Sequence, residues 1–437
     1  MSTINYSEQF DIKSPNTFRA WLVVLTSALF FFYIFIQMNL FNSINSELVK
    51  EFNFNAKQLG HLFAFFSYGN IVFLFPAGIL LDRLSVRKIL FVVFIISVFA
   101  THIFSTTSTF WVMCMARLVI GVAGAFALLS AVKLASRWFQ PKHLALVIGM
   151  IVTVGMFGGA AAQTPLTLLT HNFGWRFAMQ LVVTLGLAII ILQLLIVRDE
   201  PKKLVKPDAK EHVELKKFGF WHSLGITVNN PQNWLSGIYI CLVNLPLFIF
   251  GGIWGVPYLT HVHRLTKIQA TAVTSMIFIG MIIGSPLAGL ISDRMGLRKP
   301  PMIAGAILSI LVMLIIMFAP TLPFAIEISL YFALGLIISC QVIGYPVISE
   351  SNPHAITATA TSLGSVLIMS GGMLVTVFGW LLEMSGGAKI VDNAAVYSLA
   401  DFTRANYLML IGLVIALVAS LLIKETYCKQ LHQRNLD

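Results

Sequence analysis

The chain has 437 residues, 57% of them hydrophobic and 11% charged, with a mean hydropathy of +0.85. Soluble domains carry about 25% charged residues, and a soluble fold of this length could not hide so much apolar surface, so lipid is the solvent for most of it. The net charge of +11 falls in short clusters between apolar runs, which is the bias of membrane insertion and not a nucleic-acid surface.

A spanning helix needs about 20 predominantly apolar residues. Twelve stretches qualify: 20–42, 58–82, 87–106, 109–136, 143–170, 175–197, 233–258, 268–292, 300–319, 322–348, 355–383 and 404–423. The polar, Pro-containing segment from Arg198 to Trp234 divides them six and six. The expected fold is an all-α membrane protein with an N-terminal six-helix bundle (1–198), a central loop (199–232) and a C-terminal six-helix bundle (233–437). Met1 to Phe18 lack the basic start, short apolar core and small-residue site of a cleavable signal peptide. Cys114, Cys241, Cys340 and Cys428 show neither a disulfide framework nor metal-ligand spacing, so no cofactor and no metal are expected.

Lys and Arg set the orientation. Twenty of the 29 lie on the side of the termini and central loop, seven on the other, and Arg117 and Lys133 lie within a span. That bias puts both termini in the cytoplasm of a bacterial inner membrane. Trp111, Trp175, Trp234 and Trp380 fall near span ends, as interfacial anchors should.

An internal repeat links the halves. PAGILLDRLSVRK starts at Pro76 and PLAGLISDRMGLRK at Pro286; in each a Gly precedes Asp-Arg by four residues and a basic pair follows. Asp82 matches Asp293 and Arg87 matches Arg298, both 211 residues apart. Two halves in the same orientation imply a pseudo-twofold axis along the membrane normal.

With these residues the chain resembles the major facilitator superfamily. Gly78, Asp82, Arg83, Arg87 and Lys88 match the family's signature between helices 2 and 3, with Ser85 where Gly is usual and Gly296 keeping it in the second copy. Arg117 and Gly121 match its helix-4 signature, while Gly149, Gly155, Gly158 and Gly159 match the helix-5 pattern in part, without its Pro. RWFQPKHLALVIGM, GIWGVPYL and YSLADFTRA look like a branch of bacterial solute permeases that includes nutrient carriers of intracellular pathogens. The resemblance implies a twelve-helix secondary transporter working by alternating access, with helices 1, 4, 7 and 10 lining the path.

Asp82 and Asp293 sit where helices 2 and 8 leave the membrane, and a carboxylate there can bind helix N-terminal amides and nearby arginines. The expected cytoplasmic gate is Gly78, Asp82, Arg83, Arg87, Asp293, Arg294 and Arg298, against the blander reading of a solvated positive loop. Arg117 is an intramembrane cation, and such a charge usually faces the bundle interior or a water-filled cavity. It suits an anionic substrate group or a structural carbonyl equally. Lys133, sixteen residues on, projects to nearly the opposite face of an ideal helix and is expected mainly to snorkel to the headgroups, with a kinked helix 4 as its route to the cavity. Polar and aromatic positions complete the candidate substrate set: Tyr33, Gln37, Gln163, Trp254, Tyr258, Gln341 and Tyr345, beside Arg117 and Lys133.

No carboxylate falls in mid-span, and Glu327, Glu350 and Glu383 are the nearest, at helix ends. His61, His102, His171, His261 and His263 cluster near outer helix ends, where they could titrate. Cationic charge without anionic charge inside favours an anionic or zwitterionic solute such as an amino acid, short peptide or organic acid. Absence of a nucleophile–base pair, phosphate loop or metal cluster argues against an enzyme. The leading expectation is secondary active transport of such a solute by a monomer in the lipid bilayer, by symport if a proton gradient drives it. The alternatives are an efflux transporter for drugs or a siderophore, and a transporter-like ligand sensor.

Overall fold

A computed structural model describes residues 17–54, 56–162, 164–200, 220–319, 322–384, 389–391 and 394–430. Among them twelve helices are long and apolar enough to cross a membrane. The first six are span 1 (Phe18–Asn39), span 2 (Gln58–Arg83), span 3 (Val86–Thr106), span 4 (Phe110–Trp138), span 5 (Pro141–Phe173) and span 6 (Trp175–Ile196). The second six are span 7 (Pro231–Gly252), span 8 (Ile268–Met295), span 9 (Lys299–Phe318), span 10 (Phe324–Glu350), span 11 (His354–Met384) and span 12 (Leu399–Leu422). The turns joining spans 2 and 3, 4 and 5, 8 and 9, and 10 and 11 share one face of the bundle with the basic clusters, called the basic side below; the opposite face is the outer side.

Local chemistry sets several ends. Ser398 with Asp401, and Thr266 with Gln269, form reciprocal caps on spans 12 and 8. The departure at Ser85 also has a reason. Ser85 is extended, with φ −61, and its hydroxyl accepts the Lys88 N–H as the cap of span 3. Gly296 closes span 8 at φ 66, a left-handed conformation that favours glycine. The repeat therefore needs glycine in its second copy alone.

Spans 2 and 4 meet backbone to backbone: a Cβ on Gly69 would lie 2.3 Å from the Leu118 carbonyl oxygen. Gly280, again 211 residues on, lies equally close to Phe332, joining spans 8 and 10. The halves meet through span 2 on span 11 and span 5 on span 8. Pro286 has no N–H for its helix, which frees the Ile282 carbonyl, and Thr153 on span 5 donates to it at 2.9 Å.

Features beyond the spans were not read from the sequence. A helix at Phe41–Phe52 follows span 1, and another at Phe220–Asn229 lies within the segment expected to be loop. Span 7 is interrupted: after Pro231–Val243 and a short turn, the π-helical Ile249–Ile253 leads into a separate outer helix, Gly255–His261. Between spans 11 and 12 a small antiparallel hairpin pairs β1 (Lys389–Val391) with β2 (Ala394–Val396). Trp111 and Trp380 are exposed as anchors should be, whereas Trp175 is buried and donates to Glu51 at 2.6 Å.

Candidate transport site and the contacts between halves

Each copy of the repeat docks on the opposite half. At the end of span 2, buried Asp82 accepts the backbone N–H groups of Ala358 at 3.0 Å and Thr359 at 2.8 Å, and the Thr359 hydroxyl at 2.6 Å. These amides belong to the first turn of the helix Thr357–Gly371 in span 11, where N–H groups lack intrahelical partners and the helix dipole favours an anion. Gly78, one turn earlier, permits the approach, since a Cβ there would lie 2.7 Å from the Ala358 carbonyl oxygen. In the second copy Asp293 accepts the Leu146 N–H at 2.8 Å, at the start of span 5's helix Leu144–Ala161. A Cβ on Gly289 would lie 2.3 Å from the Ala145 carbonyl oxygen.

The cations beside the two carboxylates differ. Lys133 on span 4 is fully buried, with Nζ 2.9 Å from Asp82 Oδ1, and it donates to the His354 and Ala355 carbonyls at 3.1 and 3.4 Å. This corrects the snorkelling expectation: three oxygens inside the protein replace the headgroup region, and two come from the other half. Asp293 instead meets Arg298 of its own turn. The Arg298 guanidinium, fully buried, also donates to Glu350 at 2.7 Å, to the Ser292 hydroxyl at 3.0 Å and, across the halves, to the Pro141 carbonyl at 2.8 Å. Burial would lower its pKa, but Glu350 and Asp293 outweigh burial and hold it above its ordinary value. Residues after span 12 complete this cluster. Glu425 accepts the Arg298 and Lys299 N–H groups at 2.8 Å each, and Thr426 donates to Glu350.

Arg87, the register partner of Arg298, does not follow it. It is exposed, donates to the Leu194 carbonyl at 2.7 Å, and gives its backbone N–H to Asp199 at 2.8 Å. Arg83 is half-buried and Arg294 exposed at their span ends.

Arg117 lies seven residues into span 4, about 10 Å from its outer start at 1.5 Å per residue. It is fully buried between the Phe41 and Phe66 rings, each centroid 4.8 Å from the guanidinium carbon. It donates to the Gln37 carbonyl at 2.9 Å and the Leu62 carbonyl at 3.4 Å, while Nη2 and the nearby Gln37 Oε1 have no hydrogen-bond partner among the described residues. Gln37 Nε2 and Tyr33 Oη both donate to Thr101 on span 3, at 3.0 and 2.8 Å. Tyr33 and Gln37 thus meet inside the N-terminal half.

The remaining candidates spread out. Gln163 lies outside the described residues. Trp254 is half-buried against Phe378 and Tyr397. Tyr258 donates to the Ile316 carbonyl at 2.8 Å. Gln341 and Tyr345 are buried around the turn in span 10, Gln341 with Oε1 unpartnered among the described residues and Tyr345 beside Gly364. Two residues read separately as lying near helix ends form a further pair: His263 Nδ1 lies 2.7 Å from Glu327 Oε1, both side chains almost fully buried. Contact across 64 residues leaves no local signal in the sequence.

Two bundles of six spans, tied at one end by a repeated helix-end dock, define a membrane transporter. A family model described as Major Facilitator Superfamily matches residues 25–376, and the chain belongs to that family. Among curated relatives, the lysosomal dipeptide transporter MFSD1 of Danio rerio is 24% identical over 58% of this chain and 57% of its own length. The probable galactarate/D-glucarate transporter GudP of Escherichia coli K12 is 23% identical over 71% of this chain and 75% of its own. The hexuronate transporter of Bacillus subtilis 168 is 23% identical over 56% and 57%. The chain thus spans little more than half the length of the first and third. In fold it is similar to the proton:xylose symporter XylE bound to 6-bromo-6-deoxy-D-glucose, with a TM-score of 0.72 at 15% identity over 96% of this chain and 99% of that one. The transporter FucP in the outward conformation gives 0.69 at 15% identity over 93% and 99%.

Proposed function

We propose that this protein moves a small carboxylate-bearing organic solute across a bacterial inner membrane by alternating access, with Arg117 as the anion anchor. The observation that carries this reading is Arg117 itself: fully buried, with carbonyls and aromatic faces as its partners and one terminal nitrogen unbonded among the described residues. A buried charge costs several kcal/mol unless paired, so an entering carboxylate would complete the site. Gln37 and Arg117 supply its two polar faces. Galactarate, hexuronates and dipeptides, the solutes named for the relatives above, have the carboxylate in common.

In this reading the basic side faces the cytoplasm, as the distribution of Lys and Arg supports. The Asp82 and Asp293 docks hold that side shut in the present conformation and must part for release inward.

The test is uptake by proteoliposomes holding the purified protein, offered labelled galactarate, D-glucuronate, D-galactonate and alanyl dipeptides, with uncharged sugars as controls. Saturable uptake of a carboxylate is expected. Each charge-assisted hydrogen bond contributes about 1.5–3 kcal/mol, so Arg117→Ala should weaken half-saturation roughly 100-fold and Arg117→Lys less. Uptake of an uncharged sugar alone, or an Arg117→Ala variant with unchanged half-saturation, would overturn the proposal.

A further inference from the structure

We propose that His263 and Glu327 form a proton-binding site that clamps the outer half of span 7, so that proton exchange there controls the outer gate. The inference rests on the transport reading above and adds the pair of residues through which outer pH sets the gate.

The geometry is that of a clasp. The outer helix Gly255–His261 is separated from the rest of span 7 by the π-helical Ile249–Ile253 and by Trp254. Two polar contacts pin the end that leads to span 8. Tyr258 Oη donates to the Ile316 carbonyl on span 9 at 2.8 Å, and His263 Nδ1 meets Glu327 Oε1 on span 10 at 2.7 Å. His263 Nε2 lies 3.2 Å from Tyr258 Oη, which ties the two contacts together. A helix with a break behind it and a titratable clasp at its tip can swing as a unit once the clasp lets go.

The clasp is neutral only with one proton in it, as imidazolium with carboxylate or imidazole with carboxylic acid. Removing that proton leaves a net charge of −1 on a Glu327 side chain that is 1% exposed. No described cation stands against it: Arg264 next to His263 is exposed, and His261 is half-buried against Phe402. Tyr331, from span 10, is a buried phenol whose hydroxyl has no partner among the described residues. At the start of span 12, Asp401 is engaged with Ser398, and Tyr397 packs edge-on against Phe402. Span 8, packed on the outer helix, carries no titratable side chain from Ala270 to Ser285. A bare buried carboxylate is strongly disfavoured, so proton release requires water to reach Glu327, and water reaches it when the outer helix lifts. One proton passes from the outer solution to the pair as the clasp closes and leaves as it opens; no other bond is made or broken.

The experiment reads protonation directly. Infrared difference spectra of the full-length protein in liposomes are recorded as the bath is stepped between about pH 8 and pH 5, the range in which histidine-linked switches act. An acid-dependent difference band is expected, the carboxylic-acid carbonyl or the imidazolium ring mode according to which partner holds the proton, with the carbonyl absent in Glu327→Gln and the ring mode absent in His263→Gln. A spin label at exposed Arg264, in the turn that ends the outer helix, paired with one at exposed Phe324 on span 10 should show a wider separation when that proton is lost. A band that neither substitution changes, or a separation that ignores pH, overturns the proposal. For the solute found by the uptake screen, exchange between equal concentrations should slow several-fold as the outer bath is acidified from about pH 8 to pH 5, and Glu327→Gln, with no proton to lose, should remove that dependence. If no solute is taken up, the transport reading fails while the infrared titration still decides the clasp.

Discussion

Replacing Asp82 by Asn should release the basic side. The native carboxylate accepts two backbone N–H groups and one hydroxyl from the start of span 11, at 2.6–3.0 Å, and sits 2.9 Å from the Lys133 ammonium. Asn keeps the shape but loses the charge, turns one acceptor into a donor facing donors, and takes the anion away from a buried ammonium. Breaking a buried ion pair from one side costs about 3–5 kcal/mol, and that cost falls on the docked conformation, since parting the halves lets water reach Lys133. At 1.4 kcal/mol per tenfold, the low end already shifts the docked-to-parted ratio roughly 100-fold. The assay is the distance distribution between spin labels at exposed Leu84 and Met295, one on each half at the basic side, with the four native cysteines replaced. Asp82→Asn should convert a single short distance into a mostly longer one. Adding Lys133→Met should recover much of the short population, because removing both partners of a buried pair is far milder than removing one. An unchanged distribution in the single variant would refute the latch, and a double variant as open as the single one would refute the role given to Lys133.

Two further outcomes follow from the same contacts. Gly78→Ala and Gly289→Ala should each favour parted halves in the same assay, because the new Cβ would lie 2.7 Å and 2.3 Å from carbonyl oxygens of the opposite half, while Gly60→Ala, with nothing within 4 Å, should change nothing. On the outer side, burial raises the Glu51 carboxyl, but hydrogen bonds from Trp175 and Arg176 and the Arg176 charge outweigh it and leave its pKa below the ordinary carboxylate value. A depressed carboxylate contributes stability that is present above its unfolded value of about 4.3 and lost as pH falls through the folded one. The melting midpoint of wild type should therefore exceed that of Glu51→Gln at pH 7, with the gap closing only below about pH 4; a gap already closed at pH 5 would contradict the assignment.

The spans were legible because twenty apolar residues in a row admit little besides a membrane helix. The repeat was legible because glycine and aspartate one turn apart recur at one interval, and the structure seats both copies on helix N-termini. Register could not say which cation would sit beside each carboxylate. Arg87 and Arg298 hold matching positions, yet Arg87 turns to the end of span 6 and Arg298 turns inward to Glu350. The angular argument placed Lys133 nearly opposite Arg117, yet both reach span 2, Lys133 at Asp82 on the basic side and Arg117 at the Leu62 carbonyl near the outer side. What it lacked was the partner of each. Glu327 and Glu350 were read as helix-end residues from their position along the chain, but burial is set by packing between spans, and both lie almost wholly inside the protein.

That divergence between the copies predicts unequal latches. Neutralising Asp293 leaves Arg298 with Glu350, Ser292 and the Pro141 carbonyl, so no buried cation is stranded. The loss is then about that of one charge-assisted hydrogen bond and the Leu146 contact, roughly 2–3 kcal/mol, against about 3–5 kcal/mol for Asp82→Asn. Asp293→Asn should therefore part the Leu84–Met295 labels less than Asp82→Asn does. Glu350→Gln, which removes the carboxylate facing Arg298 Nε and Nη2, should part them more than Asp293→Asn. Equal opening by Asp82→Asn and Asp293→Asn would mean that the helix-end hydrogen bonds alone set the latch, and that the buried cations behind them serve the packing of each half.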